Sequence, residues 1–236
     1  MLGILGGMGP MATVDFMGKI VRATPAARDQ DHIRIVACSA ADIPDRTAAI
    51  LGGGADPLPA LRDALRRLEA AGATRVAIPC NTAHHWHAAL QAETELPILH
   101  IVAAVADALA ASGAVGGRVG LLATDGTLAT GLYPTRLAPR GYACRAPDEA
   151  GQAEVMGAIR LVKAGRVAAA RAILSRQAEA LVEAGCRSVV MACTEIPVAL
   201  ADVEEPLRGR LLDATEALAA ACVAACTGGD SARLAA

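Results

Sequence analysis

The chain of 236 residues is long enough for one large domain or for two smaller ones, each with a substantial apolar core. Its formal net charge is −2, it has no basic stripe, and aromatic residues make up only 2%, so nucleic acid is not an expected partner. The most apolar long stretch, residues 96 to 115, is interrupted by a proline and by polar residues, which argues against a membrane span.

Apolar runs alternate with helical patterns along the chain. Residues 59 to 71 and 167 to 184 carry leucine and alanine at helical spacing. Strands are predicted at residues 2 to 5, 33 to 38, 75 to 79, 97 to 102, 118 to 123 and 188 to 192. The alternation predicts an α/β protein built on parallel sheets.

The N-terminal segment MLGILGGMGP has no basic region and no cleavage site, and it is interpreted as a strand of the mature fold. The seven cysteines form an odd set without the spacing of a disulfide framework. We therefore expect a cytoplasmic protein whose thiols are mostly reduced.

Two self-matches indicate that the chain contains two similar halves. A shift of 117 places residues 2 to 13 on residues 119 to 130, and a shift of 113 places residues 68 to 80 on residues 181 to 193, which pairs Cys80 with Cys193. The alternative is that both matches reflect the ordinary helix, turn and strand pattern of an alanine-rich chain. If the halves pack about a pseudo-twofold axis, the two cysteines face each other beyond the carboxyl ends of their strands.

Two facing thiols suit a reaction that moves protons on both sides of one carbon. A thiolate removes the Cα proton from one face and a thiol returns a proton to the other, as racemisation requires. The resulting carbanion needs fixed donors around the neighbouring carboxylate. The candidates are Asn81, Thr82, Thr124, Thr127 and Thr194.

A pyridoxal cofactor would need a Schiff-base lysine, and the chain has only Lys19 and Lys163. No phosphate cradle is recognisable near either lysine. A mechanism without a cofactor is therefore favoured.

Six segments resemble the aspartate racemase branch of the aspartate/glutamate racemase family: GILGGMGPMAT, TPAARDQDH, IPDRTAAILGGGADP, PCNTAH, LLATDGTLATGLY and CTEIP. The GGMGP and CTEIP motifs favour the aspartate over the glutamate branch. The resemblance implies two similar three-layer α/β domains, residues 1 to 104 plus 210 to 236 and residues 105 to 209, related by a pseudo-twofold axis with the active site between them. It also implies cofactor-independent racemisation of an acidic amino acid, and a homodimer.

The resemblance also implies roles for individual residues. Cys80 and Cys193 match the catalytic pair, Arg46 matches the residue that binds the side-chain carboxylate, and Lys163 is a second cation near it. Met8 matches a residue that approaches the ligand. The expected substrate-binding set is Met8, Arg46, Asn81, Thr82, Thr124, Thr127, Lys163, Thr194 and Glu195.

Plainer interpretations stay open for several of these residues. The two cysteines could be ordinary buried thiols, and Arg46 could form a surface ion pair with Asp45. The run from His84 to His87 after Cys80 invites a zinc site, but its spacing is unconvincing and no metal is expected. The glycines at residues 6, 7 and 9 lack a full dinucleotide fingerprint, and we interpret them as allowing close approach to a small ligand.

The substrate also stays open at this level. Aspartate is expected, with glutamate or a broader set of amino acids as the alternative. A decarboxylation or isomerisation through an enediolate is another reaction that such a cleft could perform. A two-lobed protein that binds an acidic ligand without turning it over is a different class, for which paired thiols would be superfluous.

Overall fold

A computed structural model describes residues 1 to 113 and 116 to 228. The end of the apolar stretch at residues 114 and 115, and residues 229 to 236 of the predicted first domain, lie outside the described residues. The two described segments form two four-stranded parallel sheets flanked by helices, which confirms the predicted α/β fold class. Within these segments, no helix combines the length and apolar character needed to cross a bilayer.

The first sheet has the strand order β2-β1-β3-β4, with every neighbouring pair parallel. Single turns of 3-10 helix cover Asp29–Asp31 and Thr82–Trp86. The elements of this half are β1 (Leu2–Gly6), α1 (Pro10–Ala23), β2 (Ile35–Ser39), α2 (Arg46–Ile50), α3 (Leu58–Ala70), β3 (Arg75–Ala77), α4 (His87–Gln91), β4 (Ile98–Leu99) and α5 (Ile101–Ala111).

The second sheet repeats this order as β6-β5-β7-β8, again with parallel pairs only. Short 3-10 turns cover Ala138–Arg140 and Arg208–Arg210. The elements of this half are β5 (Gly117–Ala123), α6 (Asp125–Ala129), α7 (Leu132–Leu137), β6 (Tyr142–Arg145), α8 (Glu149–Lys163), α9 (Val167–Glu183), β7 (Ser188–Ala192), α10 (Ile196–Ala199), β8 (Leu211–Asp213) and α11 (Ala214–Thr227).

The six predicted strands are present, and one of them is much shorter than expected. The strand predicted over residues 97 to 102 covers only Ile98–Leu99, because His100 caps the helix α5 that starts at Ile101. The side chain of His100 accepts a hydrogen bond from the backbone N–H of Val102, at 3.2 Å. The edge strands β6 and β8 were not predicted, since both are short and lack a long apolar run.

Equivalent glycines explain part of the sequence repeat. A Cβ atom on Gly3 in β1 would lie 2.9 Å from the Cβ of Ala73 and 3.4 Å from that of Leu68. A Cβ atom on Gly120 in β5 would lie 3.1 Å from the Cβ of Leu181. A leucine near the end of α3 therefore packs directly on the backbone of β1, and a leucine near the end of α9 packs on β5. Only glycine in the strand leaves room for this leucine.

One apolar core joins the two halves. The C-terminal helix α11 packs against α1 and α5, which belong to the first half, and also touches β7 and β8 of the second. The buried residues that form this core include Leu2, Ile4, Phe16, Val119, Leu121, Tyr133 and Leu218. Hydrophobic burial thus links the sheets as well as filling each one.

The strand β8 does not lie in the domain to which the predicted boundary assigns it. Leu211, Leu212 and Asp213 pair with Val189 to Met191 of β7 and therefore belong to the second sheet, whereas a boundary at residue 210 assigns them to the first domain. Pairing with β7 satisfies the backbone groups on one side of this edge strand, which an unpaired crossing would leave open. The domain boundaries themselves stay a prediction.

We expect valine at either glycine to destabilise the protein by overpacking the contact between helix and strand. Gly3→Val and Gly120→Val should each lower the free energy of unfolding by about 1 to 3 kcal/mol, measured by urea denaturation. Gly157→Ala is the control, because a Cβ atom there meets nothing closer than 4.0 Å and alanine favours the helix α8. Wild-type stability in both valine variants would contradict this packing.

Candidate active site

Both predicted catalytic cysteines lie just beyond the carboxyl ends of equivalent strands. Cys80 follows β3 by three residues and Cys193 follows β7 directly. The strands are equivalent because β3 pairs with β1 as β7 pairs with β5. Both cysteines are buried, with 5% and 6% of their surface exposed.

The two cysteines line one cavity between the halves of the chain. Its wall also contains every other predicted site residue except Thr127, together with Asp45 and Thr47, which were not predicted. The lining residues are Met8, Asp45, Arg46, Thr47, Cys80, Asn81, Thr82, Thr124, Lys163, Cys193, Thr194 and Glu195. The first seven positions come from the first half, up to Thr82, and the others come from the second.

The cavity is small in this arrangement. About 20 Å³ is open to the centres of water molecules, which is room for about one water. An amino acid is larger than this space. Its entry therefore requires the lining side chains or the two halves to move apart.

Three buried threonines connect the halves at the cavity wall. The hydroxyl of Thr82 lies 2.9 Å from that of Thr124 and 2.9 Å from that of Thr127, and the last two are 3.0 Å apart. Thr124 also caps α6 by accepting a bond from the backbone N–H of Thr127. Thr127 thus belongs to the site through this triangle, although it does not line the cavity.

Close backbone approach brings these loops together. A Cβ atom on Gly126 would lie 2.9 Å from the Cα of Thr47 and 3.1 Å from the Cγ2 of Thr82. The absence of a side chain at Gly126 therefore allows α6 to rest against α2 and the loop after Cys80. The resulting contact closes one side of the cavity.

Cys193 is held as a thiol by its neighbour Glu195. The Sγ atom donates to Oε2 of Glu195 at 3.1 Å, and the hydroxyl of Thr194 donates to the same oxygen at 3.3 Å. Burial, and then the negative charge and hydrogen bond of Glu195, raise the pKa of Cys193 well above its ordinary value. Cys193 therefore keeps its proton in this arrangement.

Two positively charged side chains, those of Arg46 and Lys163, line the cavity, as predicted. Nη1 of Arg46 donates to the carbonyls of Ile43 and Pro44 at 3.1 and 3.0 Å. Among the described residues Arg46 forms no ion pair, and its buried Nε has no hydrogen-bond partner. The surface pair with Asp45 is thus not found, since the carboxylate of Asp45 instead caps α2 at the N–H of Ala48.

Lys163 is more exposed than Arg46. It is the last residue of α8, and its positive charge lowers the pKa of Cys193 slightly against the larger effects of burial and Glu195. Lys19, the other lysine of the chain, lies in a separate groove. There it pairs with Asp15 at 2.5 Å and with Asp213 at 2.6 Å.

His84 holds the loop that carries Cys80. Its Nδ1 lies 2.8 Å from the carbonyl oxygen of Cys80, and its Nε2 accepts from the backbone N–H of Ile101 at 3.0 Å. The second bond requires an unprotonated Nε2, so Nδ1 carries the proton and donates. Burial lowers the pKa of His84 to about 4, which keeps the ring neutral.

The histidine run has structural contacts of its own. Both ring nitrogens of His84 are engaged with the backbone, and Nε2 of His87 lies 2.9 Å from the carbonyl oxygen of Ile98. His85 is exposed and stacks edge-on against Trp86. Within residues 1 to 113 and 116 to 228, no group of three or more potential ligands is arranged to hold a metal ion.

The glycine-rich turn after β1 packs against protein rather than facing open space. A Cβ atom on Gly6 would lie 2.4 Å from the side chain of Thr13, and one on Gly7 would lie 2.4 Å from the backbone of Ala40. Gly7 also adopts a φ of +93°, which favours glycine. Met8 of this turn lines the cavity, and a Cβ atom on Gly9 would lie 3.2 Å from Oε1 of Glu195, which also lines it, so close approach of these glycines to a ligand stays a prediction.

A family model described as Asp/Glu/Hydantoin racemase matches residues 5 to 222. The chain belongs to this family. Membership confirms the resemblance drawn from the motifs, and it confirms the predicted enzyme class, an isomerase of the amino-acid racemase type.

The fold is similar to that of solved racemases. The structure of Picrophilus torridus aspartate racemase is 32% identical, covers 96% of this chain and 94% of that chain, and superposes with a TM-score of 0.85. The broad specificity amino-acid racemase RacX of Bacillus subtilis is 34% identical over 108 residues, 43% of this chain and 46% of RacX. Glutamate racemase of Deinococcus radiodurans is 35% identical over 172 residues, 72% of this chain and 53% of that protein. The chain thus spans about half the length of these two curated relatives.

Sequence reasoning missed one buried polar residue that contacts the cavity wall. The hydroxyl of Tyr133 in α7 donates to Oδ1 of Asn81 at 2.6 Å. Tyr133 ends the motif LLATDGTLATGLY, but its partner is 52 residues away. The position of Tyr133 at the end of that motif was the only feature of the sequence that could have indicated a role for it. The homodimer and the cytoplasmic location stay predictions.

We expect the stability of the protein to fall as the pH drops through the range in which unfolded histidine gains a proton. His84 has a folded pKa of about 4 against an ordinary value of 6.5, so its contribution is complete above pH 6.5 and is lost between pH 6.5 and 4. The loss amounts to up to roughly 3 kcal/mol. Urea denaturation across this range measures it.

The variant His84→Gln should reduce this pH dependence, because an amide can still donate and accept at this position but does not titrate. The part that remains comes from His87 and His100, whose pKa values burial also lowers. His85→Gln is the matched control, since His85 is exposed and should leave the slope unchanged. An unaltered slope in His84→Gln would show that other groups cause the acid sensitivity.

Proposed function

We propose that this protein racemises aspartate without a cofactor, with Cys80 and Cys193 as the paired acid and base. The observation that carries the proposal is that both thiols line one cavity between the two halves. Each thiol follows a strand of a different sheet, so a substrate between them presents a different face to each. The aspartate racemase structure with a TM-score of 0.85 supports the choice of substrate.

The proposed reaction exchanges one proton at Cα. One cysteine, as a thiolate, takes the Cα proton, and the electron pair of that bond moves into the α-carboxylate to give an enediolate. The other cysteine then gives its thiol proton to the opposite face of Cα and becomes the thiolate. Cys193 holds its proton in the arrangement described, because burial and Glu195 raise its pKa.

The α-carboxylate gains negative charge as the proton leaves, and the cavity wall offers donors for it. We assign this role to Nδ2 of Asn81, which has no hydrogen-bond partner among the described residues, while Thr82, Thr124 and Thr194 form the polar wall beside it and Met8 is an apolar contact. Thr127 supports them from the threonine triangle. Donors that are fixed before the reaction stabilise the enediolate without having to reorient.

The side-chain carboxylate is assigned to Arg46, with Lys163 as a second cation. The two carbonyls that accept from Nη1 of Arg46 fix its guanidinium, and Nε remains unpartnered among the described residues. A planar guanidinium held in this way suits a carboxylate better than a flexible ammonium does. This arrangement supports an acidic substrate.

The names of two relatives are a reason to test amino acids other than aspartate as substrates. One is named a glutamate racemase and another a broad specificity amino-acid racemase. We therefore test substrate choice by following deuterium incorporation at Cα in deuterated water, across L- and D-amino acids and without added cofactor. Aspartate should exchange fastest, with product of unchanged mass apart from the label. Tight binding of aspartate without any exchange would instead indicate a binding protein.

We expect each cysteine to be necessary for racemisation. Cys80→Ala and Cys193→Ala should each lower kcat for aspartate by at least about a thousandfold, because each removes one of the two proton-transfer groups. Circular dichroism of the product measures the interconversion of enantiomers. Cys144→Ala is the control, since Cys144 lies in β6 and outside the cavity. Wild-type turnover in either active-site variant would refute the two-thiol mechanism.

We expect Arg46→Gln to weaken recognition of the acidic side chain. Loss of a charged hydrogen-bond partner should raise KM for aspartate by about ten- to a hundredfold. Arg66→Gln, an exposed arginine on α3, is the control for loss of a positive charge. If KM changes equally in both variants, the effect is one of net charge and Arg46 does not bind the substrate.

A further inference from the structure

The side-chain amide of Asn81 is held in one orientation from the opposite half of the molecule. Tyr133 lies in α7 of the second half and is fully buried, with none of its surface exposed. Its hydroxyl donates to Oδ1 of Asn81 at 2.6 Å. Asn81 follows Cys80 in the chain, is itself 2% exposed, and lines the cavity.

The other end of that amide is unpaired. Nδ2 of Asn81 is buried and has no hydrogen-bond partner among the described residues. A buried donor without a partner costs about 1 to 3 kcal/mol. An acceptor that enters the cavity would remove this cost, and a carboxylate offers the strongest acceptor oxygens.

We propose that Tyr133 is a positioning residue, which turns the amide of Asn81 so that Nδ2 donates to the α-carboxylate of the substrate. This inference rests on the proposed function for its substrate. It concerns a residue that does not line the cavity and that acts only through Asn81.

The hydroxyl of Tyr133 selects one of two amide orientations. An asparagine side chain can rotate by half a turn with little change in shape, which exchanges its oxygen and nitrogen. A donor placed at 2.6 Å stabilises the orientation in which the oxygen faces it. Burial raises the pKa of Tyr133 well above its ordinary value, so the hydroxyl keeps its proton at neutral pH.

The bond also ties the orientation of Asn81 to the arrangement of the two halves. Asn81 belongs to the loop after β3, and Tyr133 follows the loop after β5. The same two loops meet at Thr82 and Thr124. When substrate is enclosed, the contact between halves therefore sets the donor that faces its carboxylate.

A double-mutant cycle on kcat tests the proposal. Tyr133→Phe keeps the ring and removes the hydroxyl, and we expect kcat for aspartate to fall about tenfold with a smaller change in KM, because the donor matters most when charge develops on the carboxylate. In the background of Asn81→Ala, the same change should alter kcat by less than about twofold, since the residue that Tyr133 positions is gone.

Two further variants separate positioning from stability. Asn81→Asp keeps an oxygen that accepts from Tyr133 but has no N–H donor, so it should lose activity even though the contact with Tyr133 remains. Tyr142→Phe is the control for removing a hydroxyl from the other tyrosine, which is also buried but lies on β6, and kcat should not change.

An equal loss of kcat from Tyr133→Phe in the wild-type and Asn81→Ala backgrounds would overturn the proposal, because a general packing defect acts independently of Asn81. If the wild type exchanges no Cα proton with any amino acid, the proposed function fails. The cycle is then measured on the Kd for L-aspartate by calorimetry. Coupling between the two positions would support the role of Tyr133, and additive losses or absence of binding would reject it.

Discussion

The hydrogen bonds among Thr82, Thr124 and Thr127 are the contact on which the site depends. They join the loop after β3 to the loop after β5, and the cavity lies where these loops meet. Each hydroxyl donates one proton and accepts another, so three of them in a triangle satisfy each other without water. Because all three are buried, loss of one leaves polar atoms unpaired and loosens the wall that both halves share.

The two halves share a strand order but hold their thiols by different means. His84 binds the carbonyl of Cys80 and fixes the position of that residue through the backbone. Glu195 instead accepts a hydrogen bond from the thiol of Cys193. Duplication of a fold can thus give two similar strand ends while the residues after each strand contact the cysteine differently, through its backbone carbonyl in one half and through its thiol in the other.

Much of this arrangement was accessible from the sequence, because the repeat and the motifs record it directly. The pairing of Cys80 with Cys193 followed from two self-matches, and the fold class followed from the alternation of apolar runs. Edge strands such as β8 were not accessible, since three residues carry too little periodic signal. The bond between Tyr133 and Asn81 was not accessible either, because it joins side chains that are brought together only by packing of the halves.

The glycine-rich turn after β1 illustrates a related point. Sequence can indicate that a position must be glycine, but it cannot indicate what approaches that position. Gly6 and Gly7 make room for Thr13 and Ala40, which belong to the protein itself. In the same way, the absence of side chains at Gly3 and Gly120 leaves room for helices to pack on the strands.

The small volume of the cavity bears on the source of the hydrogen that the product carries at Cα. Without substrate the cavity has space for about one water, and a substrate between the thiols displaces that water, which limits their access to solvent hydrogen while it is bound. Under the proposed mechanism, the product therefore carries the hydrogen that was resident on the acid cysteine before substrate entered. Each turnover also leaves the protein as the opposite tautomer, with the proton on the other cysteine. The free enzyme must return through exchange with solvent while open, and at high substrate concentration that return competes with the chemistry for control of the rate.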